Sequence, residues 1–164
     1  MVLLGGKHPQ ANIEVHDLVF TRASCLQDAY PALKQSWFGS NNTVHIDAWM
    51  RISGLQYQQK NYQIVFKKEP TLVDGLKLFA VNLGAYMPDQ FGEIHRYVMV
   101  AAYNQREAKQ QAKAFYEKNW FKPHTDAIID VDDCIHLKQI EQQYIHLIAG
   151  DFQPLQWCND YIVL

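Results

Sequence analysis

The feature that most constrains this chain is a sequence pattern that occurs twice, 79 residues apart. Positions 4–47 align with positions 83–126 without a gap, and eleven of the 44 aligned positions are identical. Ordinary residue usage would give roughly three identities by chance. The identical residues of the first copy are Leu4, Gly5, Pro9, Glu14, His16, Val19, Ala23, Ala29, Lys34, His45 and Asp47. An internal duplication is therefore predicted, and the chain should contain two units of the same fold.

The length of 164 residues suits one compact domain or two small ones. We place the first copy at residues 1–74 and the second copy, together with a C-terminal strand, at residues 75–164. A unit of about 80 residues has only a small core of its own, so the two copies should pack together as one compact body. We expect an approximate twofold axis to relate them.

Turn residues and hydrophobic periodicity predict the same order of elements, ββαββ, in each copy. In the first copy the helix should begin at a capping box, Ser24-x-x-Gln27. The strands that follow, at residues 43–53 and 62–66, should form a hairpin across the polar segment 54–61. Mainly antiparallel sheet with one helix in each copy places the chain in the α+β class.

The second copy repeats this order and carries a stronger capping box, Asn104-x-x-Glu107. Asp132 and Asp133 are interpreted as turn residues, because aspartate favours turns. The apolar residues 160–164 should dock as an edge strand.

Charge and hydropathy exclude two classes of partner. The net charge is −2 and the sequence has no basic stripe that could neutralise phosphates, so we expect no nucleic-acid partner. Apolar runs are far shorter than the roughly 18 residues of a membrane span, and the short apolar start does not resemble a signal peptide. We therefore expect no membrane partner, and we expect the full chain to be a monomer.

The three cysteines, Cys25, Cys134 and Cys158, are widely spaced and odd in number. Neither a disulfide framework nor a structural zinc site fits this spacing. Three reduced thiols are typical of a cytoplasmic protein, which is the location that we predict.

The order of four motifs in the first copy resembles a known family. The motifs are Leu-Gly-Gly at 4–6, Glu-x-His-Asp at 14–17, Trp-Phe-Gly at 37–39 and His-x-Asp at 45–47. They are similar to the bacterial domain of unknown function 1543 family, in which the unit occurs once or in tandem. The resemblance covers about residues 1–137 and implies a tandem member. The family has no established activity, so the resemblance implies no catalytic residue and no cofactor.

The second copy departs from the family pattern at three places. Gly6, Asp17 and Trp37 of the first copy are replaced by Ala85, Arg96 and Tyr116. A site that used Asp17 would therefore be lost from the second copy, or would use Arg96 to hold an anion.

Four histidines occupy duplicated positions, and each lies two residues from a carboxylate. On a strand, positions i and i+2 point the same way and lie about 6–7 Å apart, so each pair should share one face. These pairs are the candidate binding residues: Glu14, His16, His45, Asp47, Glu93, His95, His124 and Asp126.

Three interpretations of these residues stay open from the sequence. The side chains can be hydrogen-bonded pairs with a structural role. They can line a pocket for a small polar ligand or for a side chain of a protein partner. They can also coordinate a divalent metal that activates water. We predict a non-catalytic module that binds a small ligand or a protein, and the alternative is a metal-dependent hydrolase that uses the duplicated His, Glu and Asp residues. Catalytic residues, a metal and a cofactor are not identified by the sequence.

Overall fold

A computed structural model describes residues 1–86, 90–119 and 129–164, with the backbone alone at 116–119 and 129. In these ranges the chain is α+β, with two helices and mostly antiparallel strands, as the sequence predicted. The elements are β1 Val2–Gly6, β2 Val15–Val19, α1 Leu26–Ser36, β3 His45–Arg51, β4 Gly54–Tyr57, β5 Lys60–Lys67, β6 Lys77–Tyr86, β7 Glu93–Ala102, α2 Gln105–Asn119, β8 Ile129–His136, β9 Gln139–Ile140, β10 Gln143–Ala149 and β11 Gln156–Val163.

Contacts divide the chain into two compact units. Unit 1 contains residues 1–53 and 153–164, and unit 2 contains residues 54–152. These units are defined by contacts between residues. The predicted boundary after residue 74 instead separates the two copies of the sequence pattern. That boundary, the duplication itself and the twofold axis stay predictions.

Unit 1 is a four-stranded antiparallel sheet, in the order β11-β3-β1-β2, with α1 packed on one face. The apolar stripe of α1, which includes Ala29 and Leu33, packs with Leu4 of β1 and Ile46 of β3. Burial of this stripe against the sheet stabilises a helix that is too short to be stable alone. The other face of β1 and β3 carries the polar residues described below.

Two predictions for the first copy are wrong. The helix starts one residue too late for Ser24 to cap it, and the capping position, Cys25, makes no side-chain hydrogen bond to the helix in the part of the chain that the structure describes. The predicted hairpin between 43–53 and 62–66 is also wrong, because β3 pairs with β1 and β11 whereas β5 pairs with β4 and β10.

The segment predicted as a polar connection, 54–61, contains a strand. β4 and β5 form a tight hairpin in which Gln58 and Gln59 both have positive φ angles, of 47° and 66°. Two such residues are typical of the type I′ turn, whose twist matches that of the strands. Among the described residues, each copy thus has the order ββαβββ, one strand more than predicted.

Unit 2 contains a three-stranded sheet, β7-β6-β8, and a four-stranded sheet, β4-β5-β10-β9. The predicted capping box of α2 is confirmed, because Asn104 Oδ1 accepts a hydrogen bond of 3.0 Å from the backbone N–H of Glu107. The Glu107 carboxylate in turn accepts bonds from the Tyr103 backbone N–H and from the Tyr57 hydroxyl, at 2.8 and 2.7 Å. The bond to Glu107, with burial, raises the pKa of Tyr57 to about 12. This network joins the β4–β5 hairpin to the start of α2.

Three further features of the C-terminal part can be compared with the predictions. Asp132 and Asp133 lie in β8 and not in a turn, so that interpretation is wrong. The edge strand predicted near the C-terminal end is confirmed, and it begins at Gln156, earlier than expected. Within the described ranges, neither helix has the length and apolar character that a membrane span requires.

Replacing Leu33 by alanine should lower the free energy of unfolding of unit 1 by about 2–5 kcal/mol, because the side chain is fully buried and its loss leaves a cavity. Chemical denaturation followed by circular dichroism measures this loss. The control is Gln35→Ala, at an exposed position of the same helix, which should change the value by less than about 0.5 kcal/mol. Equal effects of the two substitutions would contradict the packing of α1 against the sheet.

Candidate metal centre

Asp47 is the extra residue of a β-bulge in β3. Leu4 of β1 pairs with Ile46 and the adjacent Leu3 pairs with Ala48, so Asp47 stands between two ladder pairs. A bulge changes the direction in which its side chain points. Here the carboxylate extends over Gly5 of β1, where an added Cβ atom would overlap the Asp47 carboxylate and lie 2.7 Å from the His45 ring.

The strand register brings two imidazoles to the same glycine. β1 lies between β2 and β3, and Gly5 lies opposite His16 on β2 and opposite His45 on β3. Glu14 lies two residues before His16, and its carboxylate approaches both imidazoles. All four candidate residues of the first copy therefore meet above Gly5.

Neighbouring donor atoms of this cluster are separated by 3.1–3.4 Å. Glu14 Oε1 lies 3.4 Å from Nε2 of both His16 and His45. Asp47 Oδ2 lies 3.1 Å from His16 Nε2, and Asp47 Oδ1 lies 3.2 Å from His45 Nε2. The oxygen atoms of Glu14 and Asp47 and one nitrogen of His45 all lie within 4.8 Å of one another.

His45 is the most informative member, because it is only 3% exposed. Its Nδ1 lies 3.0 Å from the carbonyl oxygen of Thr43, which can only accept, so Nδ1 carries a proton. In a neutral imidazole the lone pair is then on Nε2. Nε2 of His45 and Oδ2 of Asp47 are both buried and have no hydrogen-bond partner among the described residues.

The side chains of His45 and Asp47 lie close together, but no hydrogen bond joins them. By distance, His45 and Asp47 qualify as an ion pair, yet their directions do not satisfy hydrogen-bond geometry at His45 Nε2. Direction is the stronger criterion, because a hydrogen bond weakens steeply away from linearity. The donor atoms are thus close to one another without being bonded to one another.

One side of the cluster is open to solvent. The side chains of His16 and Glu14 are 46% and 40% exposed, in contrast to His45. Beside His45 lies the ring of Tyr161, at a centroid distance of 4.5 Å and a tilt of 38°. The cluster can therefore accept an external ligand from the side of His16 and Glu14.

A related cluster forms in unit 2 above Gly84, which lies opposite His95 on β7. A Cβ atom on Gly84 would overlap Glu93 and lie 2.6 Å from an oxygen of Asp132. His95 Nδ1 lies 3.0 Å from Asp132 Oδ2, and His95 Nε2 lies 4.0 Å from Glu93 Oε2. The structure brings the candidates Glu93 and His95 together and adds Asp132, which the sequence interpretation had missed.

The candidates His124 and Asp126 lie outside the described residues. The register shows which residues of β8 occupy the equivalent positions, because Leu83 pairs with Val131 and Asn82 pairs with Asp133. Asp132 is therefore the bulge residue that corresponds to Asp47, 85 residues later and not 79. The sequence Asp130-Val131-Asp132 is similar to His45-Ile46-Asp47. An alignment with a gap would have matched the two segments, but the gapless alignment could not.

The position of His45 is taken by Asp130 in unit 2, opposite Gly84. Asp130 is exposed and binds Lys113 at 3.0 Å. The Lys113 ammonium, followed by the backbone N–H of Val131, lowers the pKa of this carboxyl group. In the part of the chain that the structure describes, the second cluster therefore lacks a buried imidazole.

Comparisons with known proteins agree with the sequence resemblance. The crystal structure of a protein Il1583 from Idiomarina loihiensis is similar, with 26% identity, coverage of 98% of this chain and 93% of that chain, and a TM-score of 0.66. No curated protein matches this chain. The family described as Domain of Unknown Function (DUF1543) matches residues 11–65, a range that contains Glu14, His16, His45 and Asp47. The similarity to the domain of unknown function 1543 family is thus found over residues 11–65 of this chain.

Proposed function

We propose that unit 1 binds a divalent transition-metal ion between Glu14, His16, His45 and Asp47. The observation that carries the proposal is the buried Nε2 atom of His45, which has no hydrogen-bond partner in the described part of the chain. Such an atom costs about 1–3 kcal/mol, and a metal ion bound to its lone pair would offset that cost. The bond from Nδ1 to the Thr43 carbonyl supports the same role, because metal-binding imidazoles are usually oriented in this way.

The spacing of the donor atoms supports the proposal independently. Metal–ligand bonds of about 2.0–2.2 Å place neighbouring ligands roughly 3.0 Å apart in octahedral sites and roughly 3.4 Å apart in tetrahedral ones. The observed separations of 3.1–3.4 Å lie in this range. Two imidazole nitrogens with two carboxylates suit Zn²⁺, Fe²⁺ or Mn²⁺.

A purely structural role would need a different arrangement of protons. Both nitrogens of His45 would be protonated, and Nε2–H would point at a carboxylate of Glu14 or Asp47. Those contacts are close but lack the direction of a hydrogen bond at Nε2, which favours a shared ion.

The proposed module would work as a monomer in the cytoplasm, without nucleic acid. Cys25, Cys134 and Cys158 are free thiols among the described residues, which is in keeping with that location.

Replacing His45 by alanine should weaken metal binding at least about a hundredfold, because it removes the buried ligand. The test uses the full untagged chain and measures the affinities for Zn²⁺ and Mn²⁺ by competition with a chelating indicator, with metal content by mass spectrometry. We expect one tightly bound ion in the native protein. His8→Ala is the matched control, because His8 belongs to the same unit and bonds to the Gln10 backbone instead. Equal affinity of His45→Ala and native protein would contradict the proposal.

Replacing Gly5 by alanine should lower metal affinity at least about tenfold, because the added methyl group takes the space of the Asp47 carboxylate and the His45 ring. The matched control is Gly84→Ala, which makes the equivalent change in unit 2 and should leave the affinity of unit 1 unchanged. A Gly5→Ala protein that is folded by circular dichroism and keeps native affinity would show that the cluster is not the metal site.

Hydrolysis is a second candidate, favoured by the half-exposed side chain of Glu14 and by its longer contacts of 3.4 Å. In this case His16, His45 and Asp47 would hold the ion, which would supply acidification of a water molecule. The Glu14 carboxylate, free of the ion, would accept the proton from water as an ester is hydrolysed and would pass it to the leaving alcohol.

If the centre is hydrolytic, Glu14→Gln should lower the rate of 4-nitrophenyl acetate hydrolysis by about 100-fold or more, because an amide cannot accept the proton. Release of 4-nitrophenolate by zinc-loaded protein measures the rate, and metal content is determined on the same sample. Lys7→Ala, an exposed position of unit 1 outside the cluster, is the control. Equal rates for native and Glu14→Gln protein would exclude hydrolysis while leaving metal binding intact.

A further inference from the structure

A groove between α2 and β8 of unit 2 carries an excess of positive charge. Its volume is about 440 Å³, and three cationic side chains and one carboxylate belong to its described lining. The cations are Arg106, Lys109 and Lys113, and the carboxylate is that of Asp130. With three positive groups and one negative group, this lining has a net charge of +2 at neutral pH. The groove should therefore attract a small anion, although the whole chain has a net charge of −2.

The three cations form a row because of their spacing in α2. Side chains three or four positions apart lie on the same face of a helix, and Arg106, Lys109 and Lys113 follow one another at these intervals. At a rise of 1.5 Å per residue, the row is roughly 10 Å long. Three cations are too few for the roughly 6–10 phosphate contacts of a typical nucleic-acid interface. The row instead suits one small ligand.

Two of the cations have no negative partner among the described residues. Lys113 forms an ion pair with Asp130 at 3.0 Å, whereas no described carboxylate pairs with Arg106 or Lys109. The side chain of Lys109 is half-buried beside β8. The bond from Lys113 is the main cause of the lowered pKa of Asp130, and the charge of Lys109 contributes to it. A half-buried ammonium without a carboxylate partner gains more from an external anion than a fully solvated one does.

The groove also has an apolar wall and a fixed geometry. Val131 lines it and packs against the apolar core of unit 2. The methylene groups of the lysine and arginine side chains add further apolar surface. At the start of α2, the Gln105 amide lines the groove and donates a hydrogen bond of 3.1 Å to the Cys134 carbonyl of β8. Apolar surface with a few polar groups at fixed positions is the usual composition of a small-molecule site.

We propose that this groove binds a small organic phosphate monoester. A phosphate group of this kind has a charge of about −1.5 to −2 near neutral pH, which matches the charge of the described lining. The Arg106 guanidinium would donate two parallel hydrogen bonds to phosphate oxygens, and Lys109 would act as a point charge. The carbon part of the ligand would lie on Val131 and on the neighbouring methylene groups. The site lies in unit 2 and does not depend on the metal centre proposed for unit 1.

The test compares the binding of phenyl phosphate and phenyl sulfate to the full chain by isothermal titration calorimetry. The two probes share a phenyl ring and a tetrahedral anionic group, but near neutral pH phenyl phosphate has the greater negative charge. A chelator is present, so that neither probe can bind through a metal ion. The native protein should bind phenyl phosphate at least about tenfold more tightly, because the additional charge interacts with the excess of cations.

Substitutions in the groove should change this affinity in opposite directions. Lys109→Gln should weaken phenyl phosphate binding by about tenfold or more, because it removes an unpaired ammonium. The matched control is Lys60→Gln, at an exposed position of the β4–β5 hairpin outside the groove, which should leave the affinity unchanged. Asp130→Asn should strengthen binding by about threefold or more, because it removes a negative charge and the partner of Lys113.

Three results would overturn the proposal. The first is a native chain that shows no binding of phenyl phosphate at about 1 mM, or binds both probes equally. The second is the same affinity in the Lys109→Gln and Lys60→Gln proteins. The third is Lys109-dependent binding of a single-stranded oligonucleotide that phenyl phosphate does not displace, which would identify a nucleic-acid surface. A preference for phenyl phosphate that depends on Lys109 supports the proposal, whether or not unit 1 binds a metal ion.

Discussion

Gly5 lies in β1, an inner strand of unit 1, directly opposite a histidine on each neighbouring strand. Any side chain there would occupy the volume in which the His45 ring and the Asp47 carboxylate meet. The sheet can therefore carry a converging set of polar groups on this face only because one residue of this inner strand has no side chain. The opposite face of the same strand holds Leu4 in the apolar core, so a single strand serves both parts of the unit.

The two clusters use the same backbone arrangement for different sets of side chains. In each, a glycine of an inner strand faces a histidine, and an aspartate from a bulge extends over it. Unit 1 adds the buried His45, whose Nε2 atom has no hydrogen-bond partner among the described residues. Unit 2 has the exposed Asp130 at that position, bonded to Lys113. The difference follows from side-chain chemistry and not from the course of the chain, and it is the reason why we propose the ion site in unit 1.

Several features could be predicted because they depend on short-range rules. Alternation along a strand placed Glu14 with His16, and the Asn104 capping box marked the start of α2. Other features depend on groups that are distant in sequence. The turn at Gln58 and Gln59 lacks the glycine that usually marks a type I′ turn, so its hairpin was missed. Helix α1 begins at Leu26, where its apolar stripe meets the sheet, and the predicted capping residue Ser24 does not set that start.

The sequence by itself determined the α+β class, the resemblance to the domain of unknown function 1543 family and the pairing of glutamate with histidine two residues apart, because periodicity and motif order are local properties. Only the tertiary structure decided that His16, His45 and Asp47 meet above one glycine, and that Asp132 takes the place corresponding to Asp47. The physical reason is the register of the strands: a bulge adds one residue that no periodic pattern contains. The distance between two groups on different strands is set by backbone hydrogen bonds across the sheet, and sequence spacing does not contain that information.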